Sequence, residues 1–396
     1  MFRRLVLATL VVGLADSFAD AIELASTSVP QTPSIPSSTN PSTSYESALP
    51  FVTPNGISGA GTRTNTLGTF QIALNPDSNL LANPAALAAF QRAAAQWQTR
   101  ISDPITINID IKLAALGANV IGSTESVFLQ GTYAEIRDQL VLDAAADPDD
   151  QITAFLPATA GTFNATFKSG TTPTGLVQAT KANLKAMGFA DLDVDFDPLD
   201  ATITFSSNFA FDFDRSDGIT PGMMDFETVA AHEIGHVLGF VSDVDTVDYG
   251  GTQVNPNPLD FYRFAAGTAP TNPADFTTAA RNFVPGAAVV SDFVLPWGTS
   301  GLTQYGMATG YNTGDGTQAS HWKDDDLTGN YIGLMDPTLA FGVIEPLTEA
   351  DFRALDLIGW DIIAIPEPTT WGALIVCGAI AGWKMRRNKV VLRPRA

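Results

Sequence analysis

Ile105, Ile107, Ile109 and Ile111 alternate with Thr106, Asn108, Asp110 and Lys112. A period of two gives a strand one apolar and one polar face, so this segment predicts a half-buried strand. Ahead of it, Phe90, Ala94, Trp97 and Ile101 fall on one face of a helix that Asp103-Pro104 stops. Asn83 is placed to cap that helix, and Pro84 stands at its first position, where a missing N–H costs nothing. Earlier still, from about Gly68, Phe70, Ile72 and Leu74 alternate as in another strand. Strand, helix, strand at this spacing predicts an α/β layer. Further helices are predicted over 133–142 and 175–187, the second ending at Gly188, and further strands over 201–205 and 209–213. With 45% hydrophobic residues the chain has ample apolar material for a core, which excludes a collagen, a coiled coil or a mostly disordered protein.

Both ends read as processing signals. Arg3-Arg4, the apolar run 5–14 and the small-residue site Ala19-Asp20-Ala21 predict a secretory signal peptide over 1–21, too short to span a bilayer. Residues 22–65, rich in Ser, Thr and Pro, read as a spacer or short pro-segment. The single cysteine, Cys377, lies in the C-terminal segment, so no disulfide can staple the exported body, and its stability must come from the core and bound ions. That segment runs Pro366-Glu367-Pro368, an apolar stretch over 371–383, then Lys384, Arg386 and Arg387. The stretch falls short of the roughly 20 residues a transmembrane helix needs, which predicts only a transient membrane stop with its basic cluster on the cytoplasmic side. These three features, in this order, resemble the PEP-CTERM sorting signal of bacteria that make extracellular polysaccharide. The resemblance implies that an exosortase-type membrane protease removes 364–396 and that the product is secreted or held at the cell surface or in the extracellular matrix. The net charge is −21, and losing the basic tail makes the body more acidic still, which excludes nucleic-acid binding.

The chemistry concentrates in the middle of the chain. Asp225 can cap a helix over 226–238 that Gly239 ends. His232 and His236 lie four residues apart, one helical turn of about 6 Å, so both imidazoles share a face and can grip one zinc ion. Glu233 can reach a water on that metal and take its proton as general base. Peptide hydrolysis needs a third protein ligand. No Glu occurs between His236 and Glu345, which removes a downstream glutamate, and the position three residues after Gly239 is Ser242, a poor zinc ligand. Asp243 or Asp245 from the adjacent segment, or His321 from a distance, remain; His321 is preferred because Met335-Asp336-Pro337 follows it closely.

His232-Glu233-x-x-His236-x-x-Gly239-Phe240, an insertion, Ser320-His321-Trp322-Lys323 and Leu334-Met335-x-Pro337 together resemble the metzincin metallopeptidases in their leishmanolysin-type arrangement. The resemblance implies an α+β, metzincin-like zincin fold, a twisted mixed sheet whose active-site helix lies above a C-terminal subdomain with a Met-turn. It divides the body into 66–240, carrying the helix, and 241–363, carrying insertion, third His and Met-turn. It further implies Zn2+ held by His232, His236 and His321, Glu233 as base, Met335 as a floor beneath the metal, and a secreted endopeptidase that binds an extended peptide or protein on an antiparallel edge strand. Unlike leishmanolysin, this body forms no disulfide, and no cysteine can plug the zinc. The alternative is a noncatalytic surface or matrix binding protein that keeps the fold; intact Glu233 and both helix histidines argue against it. The insertion, 241–320, shows little clear helix and is expected to line the primed side of the cleft. Thr348-Glu349-Ala350-Asp351 forms a capping-box pattern opening a helix with Phe352, Leu355 and Ile358 inward. Three acidic stretches, Asp191/Asp193/Asp195, Asp212/Asp214 and Asp324/Asp325/Asp326, offer oxygen ligands for Ca2+.

Overall fold

The alternating isoleucines form the centre of a sheet. A computed structural model describes residues 23–24, 69–116, 120–146, 148–158, 163–270, 272–286, 291–298 and 301–363. The segments expected to be a signal peptide and a sorting tail, and most of the expected spacer, lie outside them. The fold below belongs to the unit that ends at Ile362.

Four strands, β1 (Gln71–Pro76), β2 (Thr106–Ala114), β3 (Gly122–Ser126) and β4 (Ala201–Ser206), pair in the order β1-β2-β4-β3. The first three in that order run parallel, with Ile72 opposite Ile107 and Ile111 opposite Ile203. β3 lies antiparallel at the edge, Thr124 opposite Ile203. The sheet is therefore mixed, and the protein is of the α+β class.

Helix α1 (Pro84–Gln98) makes the crossover from β1 to β2. Asn83 caps it by accepting from Ala86 N at 3.2 Å. Its buried face is mostly alanine, with Phe90 and Trp97 as the large members. Small side chains let a second helix approach closely, and the indole of Trp97 donates to Ala231 O of that helix at 2.9 Å. Burying Phe90 and Trp97 stabilises the layer by roughly 1.5–3 kcal/mol per side chain. Ile101, expected on the helix face, lies beyond its end. The helix closes at Gln98, and Ile101 instead forms an antiparallel bridge with Ile362.

Residues 175–187 do not form one helix. Leu176–Thr180 is a strand antiparallel to Phe128–Thr132, and only Lys181–Ala186 is helical. Thr180 marks the switch, because its hydroxyl accepts from Asn183 N at 3.1 Å and caps the helix. The expected strand at 209–213 shrinks to Phe211–Asp212, paired with Met224–Asp225. The helix expected over 133–142 is present as Tyr133–Asp143.

The segment expected to be an insertion, 241–320, contributes four strands to a second sheet. Gly301–Met307, Ser291–Gly298, Arg263–Ala265 and Arg281–Phe283 are neighbours in that order, and Ala165–Phe167 adds a parallel fifth strand from the first half of the chain. The last helix, Glu349–Asp356, carries the expected capping box, with Phe352 edge-on to Trp97 at 5.4 Å.

Candidate metal centre

The helix bearing the two histidines, α2 (Phe226–Val237), is bracketed as its sequence requires. Asp225 accepts from Glu227 N and Thr228 N at the start. At the end Gly239 has φ of +110°, and Gly239 N and Phe240 N return to His236 O and Gly235 O. This is the glycine-dependent helix stop in which both N–H groups satisfy the last carbonyls.

His232, His236 and His321 come together and are fully buried. His232 Nε2 lies 3.1 Å from His236 Nε2 and 3.2 Å from His321 Nε2. Each Nδ1 faces a main-chain carbonyl: Leu334 O at 2.7 Å for His232, Phe240 O at 2.8 Å for His236 and Gln318 O at 3.1 Å for His321. A carbonyl can only accept, so Nδ1 carries the proton and each Nε2 turns a lone pair toward the others. Burial keeps the rings neutral, pushing His232 down to about 4 and His236 and His321 well below the ordinary imidazole value, with neighbouring imidazoles adding to the effect on the latter two. Three neutral donors converging in this way fit a cation. Zinc–nitrogen bonds of about 2.0–2.1 Å in tetrahedral geometry set ligand nitrogens about 3.3 Å apart, close to both distances here.

Asp243 and Asp245 are not part of this group. Asp243 accepts from Gln178 Nε2 and Asn255 N. Asp245 accepts from Ala319 N and Ser320 N, and burial pushes its pKa up to about 6 against these donors and Arg263.

Glu233 follows His232 and is also fully buried. Thr124 of edge strand β3 donates to its Oε2 at 2.7 Å. A Cβ at Gly122 would stand 2.6 Å from Glu233 Oε1, so the glycine makes room for the carboxylate. Met335 is buried beneath the helix against Gly235, where any Cβ would overlap its thioether. A glycine inside a helix is disfavoured by about 1 kcal/mol relative to alanine, and that anomaly at Gly235 was the available sequence signal of a close approach. Gly122 and Thr124 carry no such signal.

Asp351 does more than cap its helix. Its buried carboxylate also accepts from Leu334 N at 2.8 Å, Met335 N at 3.2 Å and the Trp322 indole at 2.8 Å. It therefore ties the turn whose carbonyl orients His232 to the residue after His321.

The acidic stretches divide. Asp193 faces Lys185 at 2.6 Å and Lys181 at 2.9 Å, so lysines supply its countercharge. Asp212 accepts from Thr220 and Asp214 N, and Asp214 caps the next turn through Ser216 N. Asp324 and Asp325 instead gather with Asp336, their carboxylate oxygens within 4.8 Å of one another. Burial, reinforced by these neighbours, pushes Asp336 up to about 8 and nearby Glu345 up to about 9.

Comparison with protein-family models, with curated proteins and with solved structures found no match to this chain.

Proposed function

We propose that this chain is an exported zinc-dependent endopeptidase of the metzincin type. The observation that carries the reading is the convergence of three neutral imidazole Nε2 atoms beside a buried glutamate. His232, His236 and His321 would hold the ion, leaving a position for water and substrate. Zinc bound there supplies a Lewis acid that activates water toward a peptide carbonyl. Glu233 takes the proton of the attacking water and passes it to the departing amine, with Thr124 holding its carboxylate in place. β3 ends the sheet beside this glutamate and runs antiparallel to its neighbour, which suits pairing with an extended peptide. Met335, packed on Gly235, supports the helix from below.

Complete burial of the three histidines and Glu233 favours a second reading, a noncatalytic surface or matrix protein in which the ion serves stability. Metal analysis and casein hydrolysis with the purified exported chain separate the two. The first reading expects about one zinc per chain, hydrolysis that a chelator abolishes, and a Glu233→Ala variant that keeps zinc and loses activity. Zinc retention with no hydrolysis of casein or a peptide library by the wild type would support the second.

A further inference from the structure

The segment that brings His321 back to the helix is fastened at two places by one short element. Helix α3 (Val244–Asp248) follows the end of α2 closely and points two aspartates at the returning chain. Asp245 accepts from Ala319 N at 2.6 Å and from Ser320 N at 2.9 Å, and Ser320 Oγ also donates to it. Asp248 accepts from Asn312 N at 2.6 Å and Thr313 N at 3.0 Å. A Cβ at Gly310 would stand 2.9 Å from the Asp248 carboxyl carbon, so the loop passes this clamp at a glycine.

A second set of bonds keeps the clamp itself rigid. Ser242 N donates to Ser320 Oγ at 2.9 Å, while Ser242 Oγ donates to Asp260 at 2.6 Å. Buried Arg263 donates to Ala319 O at 3.1 Å and to Ala308 O, on both sides of the same loop. Thus Asp245, Ser242 and Arg263 converge on the two residues directly before His321.

We infer that Asp245 is a positioning residue for the third ligand: it fixes the Ala319-Ser320 backbone so that His321 Nε2 meets the nitrogens of His232 and His236. The inference rests on reading the three histidines as a metal site. The physical reason is entropic. Closing a long loop grows only logarithmically more costly with length, whereas ordering the residues beside a ligand must be met in full each time the ion binds. Three donors held by one buried carboxylate order those residues before the ion arrives. The same acidic segment that offered a rival ligand in the sequence therefore serves the histidine that replaced it.

The test uses the full exported chain, stripped of metal, with zinc affinity read by competition against a chromophoric chelator and ligand set read from the Co2+ absorption spectrum. Asp245→Asn should weaken zinc binding by about 10- to 100-fold. Ser320→Ala, which removes both the donation to Asp245 and the acceptor of Ser242 N, should weaken it by about fivefold for each bond lost. At saturating Co2+ both variants should give the wild-type spectrum, whereas His321→Ala should not. Wild-type zinc affinity in Asp245→Asn, even with a lowered melting temperature, would overturn the inference in favour of a merely structural role. A changed spectrum at saturation in that variant would also overturn it, by making Asp245 a ligand. Should Asp245→Asn fail to fold, unchanged affinity in Ser320→Ala is the overturning result. Wild-type chain that binds neither ion would sink the metal-site reading, and the clamp with it.

Discussion

Gly235→Ala sets two effects of opposite sign against each other at one atom. On helix propensity alone, alanine in mid-helix is favoured over glycine by about 0.8–1 kcal/mol. The new methyl, however, would overlap the Met335 sulfur, with the Met335 terminal methyl at 3.1 Å and Trp97 Cζ2 at 3.4 Å. Met335 is fully buried and so is Trp97, which leaves the thioether no free space to swing into. Overpacking costs about 1–3 kcal/mol, and with no room to relax the upper part of that range applies, about 2–3 kcal/mol, so net of the propensity gain the expectation is a destabilisation of about 1–2 kcal/mol. The discriminating background is Met335→Ala, which by itself opens a cavity and costs about 2–5 kcal/mol. With the thioether gone, Gly235→Ala should become stabilising by up to about 1 kcal/mol, a coupling of about 2–3 kcal/mol between the two sites. Denaturant unfolding of all four proteins, followed by tryptophan fluorescence and compared at equal slope, measures that coupling. A Gly235→Ala protein as stable as the wild type, or additive behaviour in the double variant, would refute the contact between Met335 and the helix.

Removing the Asp351 carboxylate in Asp351→Ala leaves Trp322 Nε1, Leu334 N and Met335 N without their acceptor, at about 1–3 kcal/mol for each buried donor. A loss of about 3 kcal/mol or more is therefore expected on denaturation, and a loss under 1 kcal/mol would show that the turn stands without it. Asp336 binds its proton more tightly folded than unfolded, its pKa raised by burial and then by Asp325 and Asp324 to about 8. Its contribution to stability is thus full below about pH 4 and lost as pH rises through about 8. Asp336→Asn should flatten the decline across that window, and parallel stability curves for variant and wild type would contradict the assignment. In a host with the sorting protease, the mature chain should end near Pro366–Pro368; intact-mass recovery of Arg395 and Ala396 on most exported molecules would favour a plain anchor.

Local periodicity made much of the scaffold legible. Alternating isoleucines fixed the faces of β2, because a strand's side-chain period does not depend on what it pairs with. Asp225 and Gly239 bracketed the histidine helix, and Thr348 with Asp351 opened the last one, because capping bonds close within a few residues. His232 and His236 needed nothing beyond helical geometry to share a face. The reading over 175–187 failed at the point where Thr180 ends a strand and starts a helix, since the preceding residues are extended by pairing with Phe128–Thr132 rather than by local preference.

The sequence by itself determined a layered body, a capped helix with two imidazoles on one face, and a short set of candidates for their partner. Only the tertiary structure decided among those candidates. His321 reaches the pair because a distant loop is fastened to α3, and Asp245 is engaged in that fastening instead of the histidine cluster. Asp351 acts across two turns, and Thr124 meets Glu233 from an edge strand more than a hundred positions earlier in the chain. Such contacts depend on which long loops close and which buried donors find acceptors. No periodicity within a single segment records that balance, because both the entropy lost and the bonds gained belong to the folded chain as a whole.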